Sequence, residues 1–135
     1  MIEIRVQWDA ARTGENALPK SHWAPRARIM REAREAGFRG WLDAGKPVVR
    51  ERVLVSARIC RAYRLDSLNA WGCLKPVIDG ALVGRYLAPG KDHIFLPSML
   101  PDDSDKWVKL GSVDQLIDQR YAGAEEVILF VERTE

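Results

Sequence analysis

Ile2, Ile4, Val6 and Trp8 alternate with Glu3, Arg5 and Gln7. A period of two puts the two sets on opposite faces of a strand, so the chain is expected to open with a half-buried strand. Val53, Val55, Ala57 and Ile59 alternate in the same way with Leu54, Ser56 and Arg58, and predict a second strand entered from Gly45-Lys46-Pro47. Val127-Ile128-Leu129-Phe130-Val131 is apolar without a break, the pattern of a strand covered on both faces. Trp107 to Leu110 predicts a short strand, and Val113 to Arg120 fits a strand or a helical turn equally well.

Helices are expected between these strands. Pro25 suits the first turn of a helix, where a missing N–H costs nothing. The residues from Arg26 to Ala36 are strong helix formers. Gly37 and Gly40 are weak points, and the helix should resume through Trp41-Leu42-Asp43-Ala44 and end by Gly45, ahead of Pro47. A second helix is expected from about Ser67 to Val83. Pro76 inside it lacks a donor and presses on the Gly72 carbonyl, which predicts a kink. Residues 9–21 and 84–101 predict loops. The second carries Phe95, Leu96, Met99 and Leu100, apolar groups suited to a lid or an interface. The order β-α-β-α-β-(β or α)-β predicts a small α+β domain, a mixed sheet with two main helices packed against it.

A length of 135 residues suits a single domain spanning 1–135, and 47% apolar residues suffice for one core. No apolar run approaches the roughly 20 residues of a membrane span. The N-terminal alternation lacks the order of a secretion signal. Cys60 and Cys73 form no C-x-x-C pair, which argues against structural zinc. Both are expected to be reduced, buried thiols of a cytoplasmic protein. The net charge of +2 demands no nucleic acid, but its distribution changes the picture. Arginines crowd between Arg26 and Arg64, whereas acidic residues concentrate after Asp66. Arg26, Arg28, Arg31, Arg58, Arg61 and Arg64 are candidate phosphate anchors, since guanidinium matches phosphate in bidentate geometry. Glu32, Glu35 and Glu51 among them fit a solvated, ion-paired face equally.

At 100° per residue, Trp71, Leu74, Val77, Ile78 and Ala81 share one arc of the second helix, and Asn69, Gly72, Lys75 and Asp79 share the opposite arc. Asp66 precedes them at the strand-to-helix junction, where the helix dipole favours an anion. On spacing alone these residues also fit an N-cap and a surface i,i+4 ion pair. A second acidic cluster, Asp102-Asp103-Ser104-Asp105, follows Pro101. It fits a capped turn, or a hard-cation site completed by Asp66, because magnesium takes one or two carboxylates and binds phosphate directly.

The run Asp66-Ser67-Leu68-Asn69, then Lys75 to Leu82 with Asp79-Gly80, then Pro101-Asp102-Asp103 resembles the signature of RusA-type Holliday-junction resolvases. That signature reads D-x-D-N, then a lysine, then D-G-L, then D-D after a loop. Asn16-Ala17 and His22-Trp23 are also similar to the N-terminal part of phage members, so the resemblance runs from about Asn16 to Trp107. It implies a homodimeric endonuclease that cuts four-way DNA junctions with Mg2+. Carried over by residue, Asp66, Lys75 and Asp103 are the catalytic positions. Asp66, Asp103 and its neighbour Asp102 would hold the metal, and Asn69 and Asp79 would support them. Leu68 stands where the pattern has its second aspartate, and leucine cannot ligate a metal. His93, in Lys91-Asp92-His93 on a loop longer than the pattern's, and Asp105 are candidate substitutes. Trp23 and Trp41 would stack at an opened junction or pack in the core. A DNA binder that has lost its chemistry and a small interaction module without a nucleic-acid role are the alternatives.

Overall fold

The computed structural model describes residues 1–14, 23–66, 70–83, 85–87, 93–95, 98–101 and 104–134. Strand β1 spans Ile2–Val6 and leads into a short 3-10 turn, Ala10–Thr13. Helix α1 spans Trp23–Asp43 and strand β2 Val53–Arg61. Helix α2 covers Ala70–Val83, and a small hairpin pairs β3, Arg85–Leu87, with β4, His93–Phe95. Strand β5 spans Val108–Ile117, a 3-10 turn covers Gln119–Tyr121, and β6 closes the chain at Glu126–Arg133.

The main sheet has the order β1-β6-β2-β5. β6 is antiparallel to both β1 and β2, and β5 runs parallel to β2. This is the mixed-sheet α+β fold that the element order predicts. The alternation in β1 and β2 explains the layering. Ile4, Val6, Val53, Val55, Ala57 and Ile59 are buried with Val127, Leu129 and Val131 in a core shared with Ala33, Trp41, Leu74, Val77, Ile78, Ala81 and Leu82 of the helices. Each buried Val, Leu or Ile contributes roughly 1.5–3 kcal/mol. β6 also buries Ile128 on its other face, beneath the flanking Arg5 and Arg58 rows, as its unbroken apolar run requires.

Several expectations are corrected. Gly37 and Gly40 do not interrupt α1, which is continuous to Asp43. A Cβ on Gly37 would run into the Val77 carbonyl oxygen, and one on Gly80 into the backbone of Arg34. The glycines let α1 and α2 cross with their backbones touching, and that close approach outweighs their poor helix propensity. α1 ends as the sequence requires. Gly45 takes a φ of +94°, Gly45 N–H donates to Leu42 O at 3.0 Å, and Lys46 N–H donates to Trp41 O at 3.1 Å. This is the 5→2 and 6→1 pair of a Schellman cap. α2 is helical across Pro76.

The segment expected as a loop from 84 to 101 holds the β3–β4 hairpin. Met99 and Leu100 are fully buried core residues rather than parts of a lid. Leu100 N–H donates to Leu82 O, and Val49 N–H to Met99 O, both at 2.9 Å. The short strand and the ambiguous stretch after it are one strand, β5. Two residues, Gly111 and Ser112, oppose the single Ser56 there, a bulge that hides the period from a sequence reading.

Candidate functional site

β2 ends at Arg61, and the turn that follows is strapped at several points. Asp9 caps the 3-10 turn after β1 by accepting from Ala11 N–H at 3.0 Å, and also accepts from Arg61 Nε at 2.8 Å. Arg61 Nη1 donates to the Tyr63 carbonyl at 2.7 Å, and Asp118 N–H donates to Arg61 O at 3.0 Å. The Gln115 side-chain amide then takes both main-chain groups of Leu65, accepting from its N–H at 2.8 Å and donating to its carbonyl at 2.9 Å. Asp66 follows directly and is exposed. The residue before it is thus held by a glutamine fifty residues away. Neither Asp9 nor Gln115 was singled out from the sequence, because nothing local marks a clamp between distant residues.

α2 carries the next groups. Lys75 Nζ lies 2.8 Å from Asp79 Oδ1, so the expected i,i+4 pair forms. The two ends differ in environment. The Lys75 side chain is 56% exposed and that of Asp79 only 11%, so Asp79 belongs to the buried wall of α2 rather than to a solvated polar face. The crossing with α1 accounts for this, since Gly80 meets the Arg34 backbone one residue further on. Thr13 Oγ1 donates to the Cys73 carbonyl at 2.5 Å and accepts from Trp8 Nε1 at 3.3 Å, tying the 3-10 turn after β1 to the first half of α2.

Leu68, Asn69, Asp102 and Asp103 lie outside the described residues, as do Asn16, Ala17, His22, Lys91, Asp92 and Leu96. Trp23 is in α1, and His93 and Phe95 are in β4, with nothing described of their side chains. The backbone on either side of the second acidic cluster is placed. Leu100 is bonded to the end of α2, and Ser104 O accepts from Trp107 and Val108 N–H at 2.9 Å each, just before β5. Asp105 is exposed, and its carbonyl accepts from Arg52 Nε at 3.0 Å. The two acidic segments are therefore moored to β5 at Gln115 and at Val108. At about 3.3 Å per residue these moorings stand roughly 20 Å apart. Among the described residues no group of three His, Cys, Asp or Glu side chains could hold a metal. Of the three carboxylates that the resemblance implies for magnesium, Asp66 is described, and Asp102 and Asp103 lie outside the described residues. Carboxylate oxygen is the donor type that ion takes.

The six arginine candidates separate into two classes. Arg58 is bound by Asp114 through two contacts, Nε to Oδ1 at 2.9 Å and Nη2 to Oδ2 at 3.2 Å. The hydrogen bonds and charge of Asp114 push its pKa further up. Arg61 is taken by Asp9 and the Tyr63 carbonyl. Arg61 is half-buried in a tie between the two turns, whereas the Arg58 pair is an exposed cross-strand contact. Arg26 and Arg28 are exposed on the N-terminal half of α1, Arg31 is half-buried beside them, and Arg64 is exposed two residues before Asp66. Trp41 is 2% exposed, with Nε1 donating to Pro47 O at 2.8 Å, so it is a core residue. Cys60 is buried as expected, and loss of hydration pushes its thiol up, with Tyr121 opposing in part. Cys73 is only half-buried.

No helix among the described residues is long and apolar enough to cross a membrane. Comparison with protein-family models, with curated proteins and with solved structures returned no match.

Proposed function

We propose that this chain is a structure-selective DNA endonuclease of the RusA type, acting on four-way junctions with magnesium and working as a homodimer in the cytoplasm. The observation that carries the reading is the path from β2 into α2. An exposed carboxylate, Asp66, leaves a strapped turn, and an ion-paired Lys75 and Asp79 follow on the helix that the turn feeds. This fits the order of the motif on an α+β frame.

Asp66 with Asp102 and Asp103 would hold the ion. Bound there, magnesium would polarise the scissile phosphate and lower the pKa of a coordinated water. Lys75, tethered by Asp79 yet more than half exposed, offsets negative charge developing on the phosphoryl oxygens. Asn69 orients Asp66 or a water. Arg26, Arg28, Arg31 and Arg64 hold phosphates on the flanking arms, which positions DNA without reading its sequence.

Leu68 favours a second reading, a junction binder that does not cut, because one carboxylate of the motif is missing. One experiment separates the two. A synthetic four-way junction is incubated with the protein and Mg2+, alongside Asp66→Asn and Asp103→Asn. Magnesium-dependent cleavage lost in both variants supports the nuclease. A gel shift that weakens with salt, without cleavage, supports the binder. Neither binding nor cutting sinks both and leaves an interaction module.

A further inference from the structure

The sequence directs attention to tryptophans as stacking groups, and the structure redirects it. Trp8 and Trp41 are 5% and 2% exposed, whereas Tyr63 is 70% exposed. Tyr63 stands on the strapped turn between β2 and Asp66. Ala62 before it is buried and Leu65 after it is partly buried, so the turn is anchored on both sides and projects only Tyr63 and Arg64. The Tyr63 carbonyl is held by Arg61 at 2.7 Å and Leu65 by Gln115 at 2.8 and 2.9 Å. A phenol ring exposed to this extent gains nothing from core packing. Holding its backbone at neighbouring residues lowers the entropy lost when the ring meets a ligand. Asp66 is three Cα steps further on, so the two Cα atoms lie within about 11 Å, roughly three nucleotide steps along one strand.

We propose that Tyr63 is a stacking residue for an unpaired or opened nucleobase beside the phosphate at Asp66, with Arg64 holding the adjoining backbone. The proposal rests on the branched-DNA reading above. Every base has a π-face, so a ring at this place selects opened DNA over continuous duplex without selecting sequence.

The test uses the full chain and a four-way junction carrying 2-aminopurine at the branch point, with a matched linear duplex as comparison. Wild type is expected to bind the junction and quench the probe. Tyr63→Ala is expected to bind it about 5- to 150-fold more weakly, the range found for one lost stack, and to leave the probe unquenched. Its salt slope should be unchanged, because a neutral ring releases no counterions. Tyr63→Phe should restore both affinity and quenching, which a loss through misfolding would not predict. Arg64→Ala should instead reduce the salt slope by about one and keep the quenching. If wild type binds and Tyr63→Ala retains its affinity and quenching, the proposal is overturned while the DNA reading stands. If wild type binds no DNA, both fall.

Discussion

Gly80→Ala tests the helix crossing that sets the α2 side chains against α1. An ideal Cβ at Gly80 lies 2.7 Å from the Arg34 carbonyl carbon and 2.8 Å from its Cα, and closer still to the carbonyl oxygen. Ordinary Cβ contacts begin near 3.4 Å, so the two backbones must part by at least the 0.7 Å between those values. No rotamer change relieves the clash, because the opposing atoms are main chain. Alanine gains up to about 1 kcal/mol in helix propensity. Overpacking costs about 1–3 kcal/mol, and a backbone contact falls at the upper end. The net expectation is a loss of about 2 kcal/mol, or roughly 6–8 °C in Tm for a domain of this size. Urea and thermal unfolding followed by circular dichroism measure it. Gly14→Ala is the control, since its Cβ would sit 3.4 Å from Ala11 O and 3.7 Å from Cys73 Sγ, and the Gly14 φ of −72° suits alanine. That change should fall within about 0.5 kcal/mol of wild type. If Gly80→Ala is as stable as wild type, the glycine-mediated crossing is wrong.

Lys75→Met should abolish magnesium-dependent cleavage while leaving junction affinity within a few-fold, read by gel shift beside the cleavage assay; undiminished cleavage would remove lysine from the chemistry. Arg26→Ala with Arg28→Ala should lower the salt slope of junction binding by about two, whereas Arg58→Ala, whose guanidinium is already taken by Asp114, should leave it unchanged. Burial raises the Cys60 thiol above its ordinary value of 9.0. Its contribution is therefore fully present below that pH and lost as pH rises toward the folded-state value, because only the unfolded chain readily ionises. Cys60→Ala should flatten the loss of stability between pH 8 and pH 10 in urea titrations, and an unaltered pH dependence would refute this. Trp41→Ala should cost about 3–5 kcal/mol through the cavity it leaves, and Trp41→Phe less, through the lost bond to Pro47 O and a smaller cavity.

The elements legible in the sequence were those whose burial repeats with a local period. β1, β2 and β6 are in the expected places because one face or both of each strand pack into a single core. The end of α1 was legible for a similar reason, since a Schellman cap needs only Gly45 and its immediate neighbours. The misread stretches depend on partners far along the chain. β5 does not show as one strand in the sequence because its bulge shifts the period by one, and a bulge is defined by the opposing strand. Gly37 and Gly40 read as weak points because propensity describes an isolated helix, while Gly37 is set by α2 and Gly40 by the Arg5 carbonyl and the side chains of β1. Met99 and Leu100 read as lid residues because nothing near them in sequence shows that Leu82 and Val49 wait to bond them.

The same division governs the site. The Lys75–Asp79 pair was legible because i,i+4 neighbours meet on any helix, yet the burial of Asp79 was not, because α1 causes it. All six arginines carry the same charge in the sequence. Asp9 and Asp114, fifty-two and fifty-six residues from their partners, turn Arg61 and Arg58 into internal ties and leave the exposed helix arginines and Arg64 to meet phosphate. Of the six, those that remain lie on the N-terminal half of α1 and on the turn beside Asp66. A duplex arm lying on α1 would bring its branch point toward that turn only if the two basic patches face the same side. Cross-linking a junction arm to Arg28→Cys and its branch point to Tyr63→Cys within one complex tests this directly. Recovery of one adduct but never both would separate the patches and restrict the DNA contact to one of them.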